Sequence, residues 1–153
     1  MLRKFEMNLN VKEAYNTMVD FLDGLYWETH ADEFGCFLSG LMFLSDGCTA
    51  DPAAWHDWIH SVNNIKRLYE IREENENVNF TLKQAYEIAQ NFFDEYYKLT
   101  NSAYEDFGIL INGMTLLGDE KSQNSEYWKK WIDSANKIKK LGDNAGQMLV
   151  LFK

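Results

Sequence analysis

One stretch of the chain occurs twice, and this repeat constrains the fold more than any other feature. Residues 53–68 read AAWHDWIHSVNNIKRL, and 73 positions later residues 126–141 read EYWKKWIDSANKIKKL. The identical positions include both tryptophans of each copy. Because tryptophan is a rare residue, its recurrence at the same spacing is evidence for an internal repeat.

The similarity continues upstream of both copies. Phe34, Gly40 and Asp46 recur 73 positions further on, whereas matches within residues 12–26 recur 71 positions further on. A length change of two residues near residue 28 reconciles the two offsets. The repeated unit is therefore about 60 residues long and is present twice.

Apolar residues at helical spacing predict three helices in each repeat. The expected ranges are about 11–27, 30–45 and 52–70 in the first repeat, and about 82–98, 103–117 and 125–141 in the second. Capping boxes are expected at the first and second helix of each repeat. Their residue pairs are Asn10–Glu13, Thr29–Asp32, Thr81–Gln84 and Ser102–Glu105.

The second helix of each repeat is apolar almost all round. Helices without a polar face lie inside a bundle, so we expect these two to be central and to pack on each other. Glycines recur in them at equivalent positions, which suggests that other parts of the chain approach closely there. They are Gly35, Gly40, Gly108 and Gly113.

The predicted fold is all-α: a bundle of six to seven helices built from two tandem three-helix repeats with pseudo-two-fold similarity. One helical domain spans residues 1–153. Its parts are repeat one at 10–70, a polar linker at 71–80, repeat two at 81–142 and a C-terminal tail at 143–153. The tail is expected to be a short helix or a docked extended segment, because its pattern fits both.

Negative charge is concentrated in the first half of the chain. The net charge is −9, and residues 1–80 hold 14 acidic and six basic residues, whereas residues 81–153 hold ten acidic and nine basic residues. Direct binding of nucleic acid is disfavoured, because phosphates require lysine and arginine. The acidic half favours a basic protein as partner, and enhanced solubility is the alternative explanation of the same charge.

Eight acidic residues of repeat one form the candidate binding face for such a partner. They bracket the corners between its helices and are Asp20, Asp23, Glu28, Asp32, Glu33, Asp46, Asp51 and Asp57. Several have no acidic counterpart in repeat two; Asp57, for example, matches Lys130. Core positions should keep their chemistry in both repeats, so this divergence marks either a recognition surface or neutral drift.

Two further candidate sites are disfavoured by helical geometry. His56 and His60 are four residues apart with Asp57 between them, which resembles a zinc-protease helix. If Trp55 and Trp58 face the core, both histidines face solvent. The paired tryptophans could form an aromatic ligand cage, but their spacing is that of a core stripe. We expect no catalytic residue, metal or cofactor; a zinc hydrolase that uses the two histidines is the alternative, which metal analysis would detect.

The lack of a membrane-spanning run and of an apolar signal core in the sequence makes a cytoplasmic location the expectation. No apolar run approaches the roughly 18–20 residues of a membrane span. The first residues read MLRKFE and have no apolar signal core. Cys36 and Cys48 do not recur in repeat two, so we expect free thiols rather than a disulfide.

The sequence of repeat one resembles those of a family of bacterial immunity proteins. These proteins are encoded beside the polymorphic toxins of contact-dependent growth inhibition systems. The resemblance is carried by LSGLMFL at 38–44, SDGCTADPAAWHDWI at 45–59, VKEAY at 11–15, FL at 21–22 and GMTLLGD at 113–119. Repeat two departs from the pattern, since residues 123–128 read QNSEYW where residues 50–55 read ADPAAW.

The resemblance implies a stoichiometric inhibitor that binds the C-terminal toxic domain delivered by a sibling cell. Many such domains are nucleases, often acting on transfer RNA, and a nuclease carries a basic cleft because it must attract phosphate. An acidic inhibitor that occupies this cleft agrees with the charge of repeat one. The alternative function is a helical adaptor or dimerisation module with no toxin partner, and the sequence leaves the oligomeric state open.

Overall fold

A computed structural model describes residues 7–118 and 121–142. Within these residues the helices are α1 (Val11–Thr29), α2 (Asp32–Leu41), α3 (Pro52–Tyr69), α4 (Leu82–Leu99), α5 (Glu105–Met114) and α6 (Ser125–Leu141). Two short strands, β1 (Asn8–Leu9) and β2 (Phe80–Thr81), pair antiparallel. The predicted all-α class is confirmed, and the predicted tail at 143–153 lies outside the described residues.

Two of the predicted capping boxes are confirmed, at the starts of α1 and α4. The Asn10 side chain accepts a hydrogen bond from the Glu13 N–H, and the Glu13 carboxylate accepts one from the Asn10 N–H, both at 2.8 Å. Thr81 and Gln84 exchange the same pair of bonds. Each box satisfies two backbone donors that a helix start would otherwise leave unpaired.

The capping boxes predicted for α2 and α5 are wrong. α1 runs on through Thr29, whose hydroxyl donates to the Leu25 carbonyl one turn earlier at 2.8 Å. This local bond within α1 replaces the cap that the sequence suggested. α2 instead follows Ala31 and α5 follows Tyr104, neither of which caps its helix with a side chain.

α2 and α5 are also shorter than predicted, because the chain turns into a tight loop after each. In repeat one the Leu44 N–H donates to the Cys48 carbonyl at 2.7 Å. In repeat two the Leu117 N–H donates to the Lys121 carbonyl at 2.7 Å. Each loop contains a glycine at positive φ, a conformation that other residues rarely adopt. The apolar run that continued the helical pattern therefore belongs to the loop.

The centre of the bundle is formed by α1 and α4 rather than by α2 and α5. Ten residues of α1 are buried, whereas α2 buries three. Cys36 and Ser39 of α2 are exposed, and Ile109 of α5 is 60% exposed. The predicted contact between α2 and α5 does exist, since the rings of Phe34 and Phe107 lie 5.0 Å apart.

The repeats interlock, because the first helix of each packs against the third helix of the other. The two largest helix pairings are α1 with α6 and α3 with α4. Equivalent rings meet in both: Phe21 lies 5.7 Å from Trp131, and Phe92 lies 5.4 Å from Trp58. These matching contacts agree with an internal repeat, whose origin by duplication stays a prediction.

The tryptophan stripe lies in the core. Trp58 and Trp131 have no exposed surface. The indole N–H of Trp58 donates to the Val11 carbonyl at 3.2 Å, and that of Trp131 donates to the Leu82 carbonyl at 3.1 Å. Because both indoles are buried and hydrogen-bonded to backbone, they serve the packing of the helices rather than a ligand cage.

The recurring glycines lie at close approaches, as the sequence suggested. A Cβ on Gly35 would lie 2.9 Å from the ring of Tyr26, and a Cβ on Gly113 would lie 2.6 Å from the ring of Tyr127. Distances this short are not tolerated between carbon atoms, so a larger residue would displace the neighbouring side chain. The glycines therefore set how closely α2 and α5 approach their neighbours.

Candidate functional site

The eight predicted acidic residues divide into three groups in the structure. Asp20 and Glu28 lie on α1 and face lysines of α6. Glu33 and Asp46 line neither of the two clefts described below and accept hydrogen bonds from backbone N–H groups. The other four line clefts on either side of α2 and are Asp23, Asp32, Asp51 and Asp57.

Three acidic residues of α1 pair with lysines of α6. The ion pairs are Asp20–Lys137, Glu28–Lys130 and Glu13–Lys139. Some of the negative charge of repeat one is therefore neutralised by lysines of repeat two in the same chain. Ion pairs near the surface contribute about 0–1 kcal/mol each, and here they favour the α1–α6 pairing. We accordingly leave Asp20 and Glu28 out of the binding surface proposed below.

Glu33 and Asp46 have hydrogen-bond partners within the chain. Glu33 accepts a hydrogen bond from the backbone N–H of Asp106, in the first turn of α5, at 3.1 Å. Desolvation by burial raises the pKa of Glu33, and the neighbouring carboxyl of Asp106 acts in the same direction. Asp46 accepts from the Cys48 N–H at 2.9 Å and so holds the loop after α2.

A cleft of about 510 Å³ lies between α2, α3 and α4, and we call it the α2–α4 cleft. Asp51, which caps α3, and Asp57, on the first turns of α3, line it. Glu95 of α4 adds a third carboxylate from repeat two. The cleft thus joins acidic side chains that are far apart in sequence.

The lining of the α2–α4 cleft includes three aromatic rings. The ring centroids of Phe37 and Tyr96 lie 4.2 Å apart, and those of Phe37 and Phe92 lie 5.6 Å apart. Leu99 also lines the cleft and is 75% exposed, an unusual exposure for a large apolar side chain. The cleft therefore combines carboxylates with aromatic and aliphatic surface.

A second cleft, of about 620 Å³, lies between α1 and α2. Asp23 and Asp32 line it together with Trp27, which is 60% exposed. Cys36 and Ser39, on the exposed face of α2, line both clefts. The two clefts are therefore adjacent parts of one surface with α2 between them.

Sequence reasoning missed Glu95 and Leu99. Both belong to repeat two, and they reach the site because α4 packs on α3 of repeat one. The available signal was the divergence of equivalent positions: Glu95 matches Gly24 and Leu99 matches Glu28 at the offset of 71. Those differences lie on α4, in the half of the chain whose acidic and basic residues nearly balance.

His56 and His60 are both exposed, as predicted. Residues 7–118 and 121–142 contain no group of three or more His, Cys, Asp or Glu side chains arranged to hold a metal ion. His60 lines the α2–α4 cleft. Cys36 and Cys48 are free, as predicted, and both are exposed.

Comparison with known proteins adds no relative. The chain matches no protein-family model, no curated protein and no solved structure. Within the part of the chain that the structure describes, none of the helices has the length and apolar content needed to cross a bilayer. The resemblance to immunity proteins therefore rests only on the sequence motifs at 11–15, 21–22, 38–59 and 113–119.

Proposed function

We propose that the protein is an immunity protein, an inhibitor that binds and neutralises a basic toxin domain. The observation that supports this best is the α2–α4 cleft, where Asp51, Asp57 and Glu95 accompany an aromatic lining. None of the described residues that line the cleft is lysine or arginine. A cleft lined by one sign of charge attracts ligands of the opposite sign.

Exposed apolar side chains beside the carboxylates favour a protein as the ligand. Trp27 and Leu99 are 60% and 75% exposed and lie in the two adjacent clefts. Tryptophan is enriched among the residues that dominate binding energy at protein interfaces. A stable interface covers about 800 Å² on each partner, which one cleft alone does not supply but two clefts with the α2 face between them can approach.

A nuclease, such as one that cleaves transfer RNA, is the toxin that fits the charge best. Its active site must attract phosphate and is therefore basic. The chain carries a net charge of −9, so long-range attraction would accelerate its encounter with such a domain by about 10- to 1,000-fold at low salt. Rapid capture suits an inhibitor that must act before the toxin cleaves its target.

The test is binding of the purified protein to the toxin domain encoded beside its gene. We expect a 1:1 complex with a dissociation constant below about 1 μM in calorimetry and an association rate that falls as salt is added. Asp57→Lys should slow association, whereas Glu126→Lys makes the same charge change outside both clefts and should have less effect. Absence of binding at micromolar concentration would reject the function.

A dimerisation module is the second candidate. Ile109 of α5 and Leu117 of the following loop are 60% and 59% exposed and could be covered by a second copy. This function predicts a stable dimer without any toxin, measured by sedimentation equilibrium. A monomer at micromolar concentration would exclude it.

A further inference from the structure

The α2–α4 cleft and the site related to it by the repeat differ in whether they are filled. The equivalent site lies between α5, α6 and α1, and Tyr127 stands there in the place of Ala54. The ring of Tyr127 lies 5.9 Å from that of Phe21 and directly against Gly113. Ala54 has no side chain beyond Cβ, so the space that Tyr127 occupies in repeat two belongs to the cleft in repeat one.

The edge of the α2–α4 cleft is also more open than the edge of the equivalent site. At the equivalent site Lys130 and Glu28 form an ion pair that links α6 to α1. The corresponding residues at the α2–α4 cleft are Asp57 and Leu99, which cannot pair. The α2–α4 cleft thus lacks both the aromatic plug and the charged bridge that cover the equivalent site.

The aromatic lining is largely specific to the α2–α4 cleft and absent from the equivalent site. Phe37 and Tyr96 correspond to Leu110 and Leu25, neither of which is aromatic. The rings of Phe37 and Tyr96 both line the cleft, with their centroids 4.2 Å apart. An aromatic ring attracts a cation that lies over its face within about 6 Å of the centroid.

The carboxylates are also specific to the α2–α4 cleft and absent from the equivalent site. Asp51 corresponds to Asn124, and Glu95 corresponds to Gly24. Carboxylates beside aromatic rings suit a guanidinium group in particular, because it is planar, stacks on rings and donates up to five hydrogen bonds. A lysine ammonium is more strongly hydrated and cannot stack, so it gains less from this lining.

We propose that the α2–α4 cleft is the docking pocket for an arginine side chain of the basic partner. The guanidinium packs on the aromatic rings while the rim carboxylates accept its hydrogen bonds. The identity of the partner rests on the function proposed above, but the chemistry of the pocket does not. The cleft, at about 510 Å³, is large enough for an arginine together with part of the loop that carries it.

The pocket can be tested without the toxin by titrating the protein with N-acetyl-arginine methylamide. The control ligand is N-acetyl-citrulline methylamide, which has nearly the same shape and no charge. We expect saturable NMR shift changes at Phe37, His60 and Tyr96, with affinity for the citrulline compound weaker by about tenfold or more. Shift changes that fail to saturate, or equal affinity for both compounds, would overturn the proposal.

The chain itself supplies variants that should close the pocket. Ala54→Tyr introduces the plug of repeat two, and Asp57→Lys combined with Leu99→Glu introduces its bridge. The equivalent site accommodates the same side chains, although its neighbours there are the smaller Leu110 and Leu25. The circular dichroism spectrum and thermal midpoint of both variants are therefore measured to establish that each one folds. Ala53→Tyr is the matched control, since it adds the same side chain at an exposed position outside the cleft.

We expect the closing variants to abolish binding of the arginine compound and to weaken toxin binding by about tenfold or more, with the control unaffected. If the toxin domain binds the wild type and Ala54→Tyr equally well, the pocket is wrong and the proposed function stands. If the toxin domain does not bind but the arginine compound does, and Ala54→Tyr abolishes it, the function is wrong and the pocket stands.

Discussion

Tyr15 and Tyr86 occupy equivalent positions in α1 and α4, and their hydroxyl groups should contribute differently to stability. Both side chains are fully buried, and each ring lies 5.5 Å from a tryptophan, Trp58 or Trp131. The Tyr15 hydroxyl donates to the Leu41 carbonyl at the end of α2. The Tyr86 hydroxyl has no hydrogen-bond partner among the described residues.

The polar neighbour of the Tyr86 hydroxyl is Ser122. The Ser122 hydroxyl donates to the Asn124 carbonyl and accepts from the Trp128 N–H, so only its second lone pair is left to accept from Tyr86. The two hydroxyls do not meet in hydrogen-bond geometry. A buried hydroxyl without a partner has lost its bonds to water and gained none in return, so its removal should cost nothing.

The two phenylalanine variants isolate this difference. Tyr15→Phe removes a buried hydrogen bond and leaves the Leu41 carbonyl without it, which should lower the free energy of unfolding by about 1–2 kcal/mol. Tyr86→Phe should change it by about zero or raise it slightly. The ring contacts are retained in both variants, so they cancel in the comparison.

Urea denaturation followed by tryptophan fluorescence at neutral pH measures both values. The slope with urea should be unchanged, so that the midpoint alone reports stability. The expected difference corresponds to about 2–4 °C in thermal midpoint per kcal/mol for a chain of this size. Equal destabilisation by the two variants would refute the reasoning, because it would mean that the Tyr86 hydroxyl is bonded after all.

Two further predictions concern a carboxyl group and two glycines. Burial raises the pKa of Glu33, and the Asp106 carboxyl acts in the same direction. The stability of the wild type relative to Glu33→Gln should therefore fall as pH rises through that pKa. A stability difference in urea denaturation that does not depend on pH would contradict this. Gly24→Ala, where a Cβ meets nothing within 4 Å, should raise the free energy of unfolding by up to about 1 kcal/mol. Gly113→Ala, against the ring of Tyr127, should lower it by about 1–3 kcal/mol, and equal effects of the two alanines would argue against the close approach.

The long helices could be located from sequence because their start signals are strong. Asp51 followed by Pro52 predicted the start of α3, and the Asp51 carboxylate does accept a hydrogen bond from the Ala53 N–H at 3.0 Å. The ends of α2 and α5 could not be located in the same way. Phe43 and Leu116 pack against the core from a loop and therefore extend the apolar pattern beyond the helix.

The candidate site could be predicted only in part, because sequence spacing does not show which helices meet. Asp51 and Asp57 stood out by their divergence from repeat two, and both line the α2–α4 cleft. Asp20 was also singled out by its divergence from repeat two, and Glu28 by its charge. Their lysine partners, however, lie 117 and 102 positions away on α6. Only the interlocked packing separates the acidic residues that line clefts from those that hold the bundle together.

That packing also governs what a shorter chain could do. A polypeptide with only one repeat would leave α1 and α3 without the helices that cover them, and a second copy would have to supply these at a cost that depends on concentration. The covalent link through residues 71–80 makes the same association unimolecular. The undivided chain should consequently fold at any dilution, and two separately produced halves should recombine only above a threshold concentration.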